Sequence, residues 1–443
     1  MTPFSMVAIV LCITAIFAVI NDRFIKLHRT IGVMLIALIM SLMIIAAKYL
    51  GLLHDDLMTE LIHNFHFDET LIQGMLGALL FAGAINIRYE DIRPRLVVIT
   101  VLAIAGVLIS TFIVGYLIHY AALWLLNLHL PLTYCLTFGA LISPTDPIAV
   151  LAILRSIGVS KGLDMDVCGE SLFNDGVGLV AFTFFFSLAA SNESMTLYEV
   201  STFFLRSVGG GIILGALCGY LACKLIGMVD DEHIEIMLTI ALVFGCFQFA
   251  EYLHVSAAIA IVVVGLVFAN MSNSVMTEAA RTTLYTFWAV IDEVLNTVLF
   301  VLVGIIALLL QHSWQLTLLG MLAITIVLFG RWISVLVPVA IMKRWYYFSP
   351  RSVRILTWGG LRGGLSIAMV LSMPENSERD IILLMTYSVV VFSIIIQGMT
   401  IGKVAGPRST HGNEYNDPRL DERSDEKPAP GPVARFLSRA RQK

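Results

Sequence analysis

Two short segments place ionisable and hydroxyl side chains inside stretches of sequence that otherwise avoid charge. The first is SPTDPIAV, residues 143–150, in which Thr145 and Asp146 lie between two prolines. The second is ESLFNDGVG, residues 170–178, whose polar side chains belong to Glu170, Ser171, Asn174 and Asp175. Carboxylates, a hydroxyl and backbone carbonyls freed by a break in a helix suit a hard monovalent cation. The two segments therefore predict a cation site.

The same carboxylates can hold a proton. A carboxylate that loses its water has a raised pKa and can be protonated near neutral pH. Because one carboxylate binds a cation or a proton but not both, competition for Asp175, combined with alternating access, is by itself a mechanism of cation/proton exchange. Asn174 is a neutral amide beside Asp175, so this helix carries one readily titrating carboxylate. We therefore expect one proton to be exchanged per cation, provided that Asp146 stays ionised.

Helical spacing divides the polar side chains of ESLFNDGVG between two faces. Ser171 and Asp175 are four residues apart and share one face, whereas Glu170 and Asn174 share the adjacent face. We expect the first face to line the cation site. The second face can offer Glu170 to Arg331 as a buried ion pair, in which the cost of desolvation offsets much of the attraction.

The composition of the chain indicates a polytopic membrane protein of the all-α class. The 443 residues are 58% hydrophobic and 14% charged, and a net charge of −4 does not favour a nucleic-acid partner. A helix that crosses the bilayer needs about 20 apolar residues, and windows of that size predict thirteen transmembrane helices. The windows begin near Pro3, Thr30, Thr70, Leu96, Pro131, Val167, Thr202, His233, Val255, Phe287, Gln315, Val353 and Ile381.

The basic residues predict how these spans are oriented. Lys and Arg collect in the loops that follow the odd-numbered spans, as Arg23 and Lys26 do after span 1 and Lys343 and Arg344 do after span 11. Such loops lie on the cytoplasmic side, so we expect the N-terminus outside and the C-terminus in the cytoplasm. Residues 1–406 form the predicted membrane domain. Residues 407–443 have mixed charge and several prolines, and are predicted to be a disordered cytoplasmic tail.

Two spans are interrupted at corresponding places. SPTDP breaks span 5, and GGLRGGLS, residues 359–366, breaks span 12. If spans 1–6 and 8–13 form two units joined by span 7, each break occupies the fifth place in its unit, and the units have opposite orientations. Matched interruptions in two inverted repeats indicate the binding site of a transporter. The alternative is that each break is a packing kink.

Charged side chains inside the hydrocarbon are costly and usually functional. Asp146, Asp175, Arg331 and Arg362 come from four different spans. At about 1.5 Å per helical residue, all four fall at a similar depth near the middle of the membrane. We expect these opposite charges to compensate one another there.

The segments SPTDPIAV, ESLFNDGVGLV, DEVLNTVLFVLVG and GGLRGGLSIAM together resemble the motifs of NhaP/NHE-type sodium/proton antiporters, and the similarity runs over about the first 400 residues. The resemblance implies a dimerisation domain (spans 1–3 and 8–10), a moving core domain (spans 4–6 and 11–13) and a homodimer in the cytoplasmic membrane. It implies exchange of Na⁺ or Li⁺ for H⁺ in pH and sodium homeostasis, without a cofactor and without enzymatic activity.

The resemblance also assigns roles to single residues. The implied ion site consists of Thr145, Asp146, Ser171 and Asp175. The implied structural ion pair is Glu170 with Arg331, and the arginine of span 12 is Arg362. The Asn174–Asp175 pair resembles the electroneutral branch. One departure is Ala82, because family members often carry an acidic residue there, which leaves a third carboxylate in doubt.

Two other functions stay open at this stage. An ion-coupled symporter of an anionic organic solute would use Arg362 as the counter-charge. An intramembrane aspartic protease would use Asp146 and Asp175 as a proton-sharing dyad, although the glycine-flanked aspartate of such proteases is absent from the sequence. The sequence does not select among Na⁺, Li⁺, K⁺ and NH₄⁺.

Two further acidic groups have alternative explanations. Asp292 and Glu293 lie near the predicted start of span 10, where a helix dipole stabilises acids; a cytoplasmic cation funnel explains them equally well. The loop from His54 to Glu69 is acidic and contains three histidines. It is either a solvated loop or a region that gathers cations or senses pH.

Overall fold

The computed structural model describes residues 3–27, 29–50, 75–191, 197–307, 310, 313–349 and 351–406. These residues are helical almost throughout and form no strand, which confirms the all-α fold. In this part of the chain, eight helices are long and apolar enough to cross a bilayer, and shorter apolar helices accompany them. The exact number of thirteen spans stays a prediction. The loop from His54 to Glu69 and the tail at 407–443 lie outside the described residues.

The helices form a first set, a connecting pair and a second set. The first set is α1 (Pro3–Ile20), α2 (Arg29–Tyr49), α3 (Leu76–Ile85), α4 (Tyr89–Ile92), α5 (Leu96–Leu126), α6 (Leu132–Ile142), α7 (Ile148–Ile157) and α8 (Lys161–Ser191). The connecting pair is α9 (Leu197–Phe204) and α10 (Gly210–Ile226). The second set is α11 (Glu232–Tyr252), α12 (Ala257–Val275), α13 (Glu278–Ile306), α14 (Trp314–Met342), α15 (Ser352–Trp358), α16 (Gly364–Leu371), α17 (Ser377–Phe392) and α18 (Gly398–Ala405).

Both predicted interruptions are present. Span 5 stops at the end of α6 and resumes at α7, and the residues between include Pro144 and Pro147, which cannot donate a helical hydrogen bond. Span 12 stops at the end of α15 and resumes at α16. Three of the five residues 359–363 between these two helices are glycines, which weaken a helix, and the backbone of Leu361 pairs with the other break.

The helices pack in two groups. One group contains α5, α6, α8, α14 and α17, with α5 lying against both α8 and α14. The other contains α2, α3, α10, α11, α12 and α13, with α13 lying against α2 and α3. The groups meet where α12 and α3 contact α8 and where α13 contacts α16. The site residues of the first group therefore face helices of the second. Movement of one group and dimerisation through the other stay predictions.

Helix α13 begins earlier than the apolar windows predict. It starts at Glu278, where the Thr277 hydroxyl accepts from the Ala280 N–H as an N-cap, whereas the window begins near Phe287. The window finds only the apolar part of a helix, and the first turns of α13 are polar. Asp292 consequently lies about four turns inside the helix, so the interpretation of Asp292 and Glu293 as acids at a helix N-terminus is wrong.

Candidate ion-binding site

The two interrupted helices cross at their breaks and are bonded to each other. The Asp146 N–H donates to the Leu361 carbonyl at 2.8 Å. The Ser366 hydroxyl donates to the Leu141 carbonyl at 2.7 Å. A Cβ added at Gly363 would lie 3.0 Å from Asp146 Oδ2, so only glycine lets the second break approach the Asp146 carboxylate this closely. Two breaks that are distant in sequence thus form one structural unit.

In each interrupted span, an arginine donates hydrogen bonds to backbone carbonyls at or near the end of the half that precedes the break. Such carbonyls lack helical partners and carry the negative end of the helix dipole. After α6, Arg362 Nη1 donates to the Ser143 carbonyl and, at 2.8 Å, to the Pro144 carbonyl. Near the end of α15, Arg331 donates to the Leu356 carbonyl from Nε at 3.3 Å and from Nη2 at 3.1 Å. Sequence reasoning missed both contacts, because they depend on the crossing of the two breaks.

Glu170 and Arg331 form the expected ion pair. Both guanidinium nitrogens donate to the carboxylate, Nη2 to Oε2 at 2.8 Å and Nη1 to Oε1. The side chains are 2% and 5% exposed, so the pair is shielded from water. Such a bidentate pair is geometrically specific. It neutralises Glu170 inside the first group of helices.

The expected compensation between the four deep charges takes a different form. Arg331 binds Glu170 rather than an aspartate, and the side chain of Arg362 binds two backbone carbonyls. Arg362 is 2% exposed and is not among the residues that line the cavity described below. It is therefore in no position to serve as the counter-charge of an anionic solute in this conformation.

Asn174 joins the ion pair to the broken helix. Its Nδ2 donates to Thr145 Oγ1 at 2.9 Å and reaches Glu170 Oε1 at 3.5 Å. Its Oδ1 accepts from the Thr145 N–H at 3.3 Å. The hydroxyls of Thr145 and Ser171 are 3.1 Å apart. Because Thr145 Oγ1 accepts from the amide, its own proton is available to Ser171, and the polar groups form one continuous network up to Arg331.

A cavity of about 150 Å³ lies beside this network. Its polar lining consists of the side chains of Thr145, Asp146, Ser171, Asp175, Asp292, Asn296 and Ser366, and the rest of the lining is largely apolar. A cavity of this size whose lining includes polar groups has room for several water molecules. The three aspartates surround the space without converging into a group of metal-ligand spacing, as far as the described residues show. The cavity is therefore suited to a cation that keeps part of its water.

Asp175 is the carboxylate in this cavity that the protein leaves most available. Within the described residues no group donates a hydrogen bond to it, whereas its neighbours Asn174 and Ser171 are both engaged with Thr145. Asp146 lies within electrostatic range of both Asp175 and Asp292. A cation or a proton is the natural partner for a carboxylate in this position, since a buried charge needs compensation.

The third carboxylate of the cavity comes from α13. Asp292 Oδ1 accepts from Asn296 Nδ2 at 3.0 Å, one turn further along the helix. Ala82, the position at which the family pattern suggested an acidic residue, is 2% exposed and does not line the cavity. The Thr277 cap, followed by an acidic residue, is the sequence signal that would have placed Asp292 inside α13.

Residues 9–405 match the family described as sodium/hydrogen exchanger, transmembrane. The chain belongs to this family. This confirms the resemblance found in the sequence, and it places the protein among secondary transporters rather than enzymes, which removes the aspartic protease interpretation.

Similar exchangers are found among bacteria and archaea. The chain is 41% identical over 404 residues to the Na⁺/H⁺ antiporter NhaP of Pseudomonas aeruginosa, covering 90% of this chain and 95% of that protein. It is 36% identical over 350 residues to the Na⁺/H⁺ antiporter NhaH of Halobacillus aidingensis, covering 76% and 83%. The structure of the sodium proton antiporter MjNhaP1 from Methanocaldococcus jannaschii matches with a TM-score of 0.73 at 17% identity, covering 91% of this chain and 97% of that one. At that identity, the likeness to MjNhaP1 shows a shared fold.

Proposed function

We propose that this exchanger moves Na⁺ or Li⁺ in one direction and H⁺ in the other across the cytoplasmic membrane, with one proton exchanged per cation. Thr145, Asp146, Ser171 and Asp175 form the ion site. The observation that carries the proposal is the Asp175 carboxylate, which lines a polar cavity next to Asp146 and accepts no hydrogen bond from the described residues. A proton or a cation can occupy this carboxylate in turn, and alternating access then couples their movements.

The polar network around the site supports a fixed stoichiometry. Glu170 is neutralised by Arg331, so it need not take up a proton when the cation leaves. Asn174 donates to Thr145 and to Glu170 as an amide that does not titrate at neutral pH. Asp175 is then the group whose charge changes. One cation replaced by one proton leaves the net charge of the site unchanged in both half-cycles.

The cavity reaches the side that we assign to the cytoplasm. Its lining includes Gly83 and Ile87 at the end of α3 and Cys168 near the start of α8. These three residues lie toward helix ends that the basic loops place inside. We propose that the structure represents an inward-facing state.

The opposite end of the cavity is closed by direct contact between the two groups of helices. Leu299 of α13 lies so close to Gly364 of α16 that a Cβ on this glycine would be 2.3 Å from Leu299 Cδ2. Leu299 also belongs to an apolar cluster with Leu141 and Ile367. Ions do not cross such a seal, because a charge in apolar surroundings is strongly destabilised. We propose that movement of the first group of helices along α13 separates Leu299 from Gly364. The same movement closes the cavity on its cytoplasmic side.

Spans 1–3 and 8–10 are the proposed dimerisation domain, and spans 1–6 and 8–13 are the proposed inverted repeats. The N-terminus is placed outside and the C-terminus in the cytoplasm, which follows from the basic loops alone. Cysteine labelling from each side of intact cells tests the orientation. Mass measurement of the solubilised protein tests the dimer.

Exchange itself is tested in proteoliposomes that contain a pH-sensitive dye and a pre-formed pH gradient. Addition of Na⁺ or Li⁺ is expected to dissipate the gradient, and Asp175→Ala is expected to abolish this response. Asp164→Asn is the matched control, since Asp164 lies on the same helix but pairs with the exposed Arg155. Persistent exchange in Asp175→Ala would contradict the assigned mechanism.

The same vesicles test the stoichiometry and the symporter alternative. With the potential clamped by potassium and valinomycin, a rate that depends on potential would contradict one-to-one exchange. Sodium uptake that requires an organic anion would favour the symporter.

A further inference from the structure

A second and much smaller cavity, of about 10 Å³, lies on the other side of the broken segment of span 12. Its polar lining consists of the side chains of Arg331, Thr357, Arg362 and Gln397, and its other side chains are apolar. It shares no lining residue with the cavity of the ion site, and none of the described residues that line it is an Asp or a Glu. Two guanidinium groups therefore border a small space without an acid.

Arg362 brings to this cavity a donor that has no acceptor. Its side chain is 2% exposed. The hydrogen bonds that its guanidinium makes all come from Nη1, which donates to the Ser143 and Pro144 carbonyls. Nη2 is buried and has no acceptor among the described residues. Because a buried donor of a charged group is costly when it is left unpaired, Arg362 needs an acceptor in the cavity.

Thr357 brings a second donor to the same cavity. A buried threonine in a helix usually donates to the carbonyl four residues earlier, as Thr111 does to the Val107 carbonyl at 2.8 Å. Thr357 Oγ1 is buried but has no hydrogen-bond partner in the described part of the chain. A hydroxyl hydrogen and the Nη2 hydrogens are therefore available to one common acceptor.

The charges around the cavity favour an anion as that acceptor. Arg331 is bonded to Glu170 in a bidentate pair, whereas no carboxylate among the described residues pairs with Arg362. Arg362 is repelled by Arg331 and attracted by Glu170 at short range. These three charges sum to +1 in a buried region, where an uncompensated charge is strongly destabilising. Water would satisfy the two donors, but it would leave this charge in place.

The size of the cavity restricts the anion to a single atom. A cavity of about 10 Å³ holds one species of about the size of a water molecule. An anion with several heavy atoms, such as bicarbonate or phosphate, does not fit in it. We propose that the cavity binds one chloride ion, which accepts hydrogen bonds from Arg362 Nη2 and from the Thr357 hydroxyl. The ion is not transported, and it holds Arg362 in the position from which Nη1 reaches the carbonyls that precede Thr145.

The location of the ion is tested with bromide, which replaces chloride and scatters X-rays anomalously. Crystals of the wild-type protein grown in bromide are expected to show an anomalous peak between Arg362 Nη2 and Thr357 Oγ1. An ordered water molecule at this place, without an anomalous peak at saturating bromide, would overturn the proposal.

The contribution of the ion is tested by thermal unfolding of the detergent-solubilised protein at constant Na⁺, with chloride or gluconate as the anion. Gluconate is too large for the cavity. Chloride is expected to raise the wild-type unfolding midpoint by at least about 3 °C and to saturate, as a ligand of the folded state does. Equal midpoints in the two anions would contradict the proposal.

Three variants separate the site from a general effect of salt. Thr357→Val removes the hydroxyl and should raise the chloride concentration for half of the effect at least about tenfold, whereas Thr357→Ser should keep the wild-type response. Thr386→Val is the matched control, because Thr386 Oγ1 is also buried without a partner in the described residues but lines neither cavity. A wild-type response in Thr357→Val, or an equal loss in Thr386→Val, would refute the assigned site.

The chloride response is independent of the proposed exchange. Since the two cavities share no lining residue, Asp175→Asn should keep the rise of the unfolding midpoint in chloride. Loss of the response in this variant would contradict a separate anion site. A failure of wild-type exchange in proteoliposomes would refute the proposed function and leave the chloride site as it stands.

Discussion

The Glu170–Arg331 pair gives a stability prediction whose size follows from burial. Glu170→Gln removes the carboxylate and leaves the Arg331 side chain, which is 5% exposed, with the Leu356 carbonyl and a neutral amide as partners. Removal of one partner from a buried pair typically costs about 3–5 kcal/mol, because the remaining charge is uncompensated. Gln can still accept from Asn174 and from Arg331, so we expect a loss of about 3 kcal/mol, at the lower end of this range.

The control is an ion pair that water reaches, and its acid, Asp164, lies on α8 together with Glu170. Arg155 and Asp164 are bonded at 2.9 Å, but Arg155 is 58% exposed. Asp164→Asn should therefore cost no more than about 1 kcal/mol, as exposed pairs do. Both variants are purified in the same detergent, and unfolding is followed by intrinsic fluorescence against increasing denaturant. Equal shifts of the two unfolding midpoints would refute the argument that burial sets the cost.

A double-mutant cycle isolates the pair itself. Glu170→Gln combined with Arg331→Gln leaves no uncompensated charge, so the double variant should be destabilised by less than the sum of the two single changes. Additive effects would show that the two side chains contribute independently and that the bidentate contact is not the source of the stability.

Three other results follow from the same site. Gly364→Ala places a methyl group where Leu299 lies, so exchange in proteoliposomes should slow at least about tenfold, and Leu299→Ala in the same protein should restore part of the rate; unchanged exchange would contradict the seal. Asn174→Asp places a carboxyl oxygen 3.5 Å from Glu170 Oε1, and protonation of the new acid relieves the repulsion between the two. The variant therefore adds a titrating group to the site, so exchange should depend on membrane potential, measured under a valinomycin clamp. The half-saturating Na⁺ concentration should fall about tenfold per pH unit as pH rises while protons occupy the site, and level off once Asp175 is ionised; a value independent of pH would exclude competition.

The sequence predicts the interrupted helices and the buried pair because their signals are local. Pro144, Pro147 and the glycines of residues 359–364 disrupt helical hydrogen bonds wherever they occur. Glu170 and Arg331 are charges within apolar spans, and a charge there needs a partner of opposite sign. Helical spacing also assigned Glu170 and Asp175 to different faces of α8 correctly, since Glu170 binds Arg331 and Asp175 lines the cavity.

The contacts that the sequence does not predict depend on tertiary structure. Arg362 reaches the carbonyls after α6 only because the two breaks cross, and no spacing within span 12 encodes that approach. Asn174 was assigned to the face that carries Glu170, yet it also binds Thr145, because the break between α6 and α7 contacts α8 at this residue. Which charges compensate one another is therefore decided by packing and not by depth in the membrane.

Asp292 shows how a hydropathy window can misplace a residue of the cavity lining. The window locates the hydrocarbon part of span 10 and omits the polar turns that precede it, so Asp292 was placed at the start of the helix. The helix continues for about four turns before Asp292, which brings its carboxylate to the cavity instead of to the membrane surface. Capping residues are better evidence for a helix start than apolar content alone.

The proposed exchange depends on competition between Na⁺ and H⁺ for the Asp175 carboxylate. Isothermal titration calorimetry of Na⁺ binding to the detergent-solubilised protein, repeated in buffers with different enthalpies of ionisation, measures the protons released per cation bound. We expect release approaching one proton per Na⁺ at pH values where the site is protonated, and loss of Na⁺ binding in Asp175→Asn. Binding of Na⁺ without proton release across the pH range in which exchange occurs would contradict it.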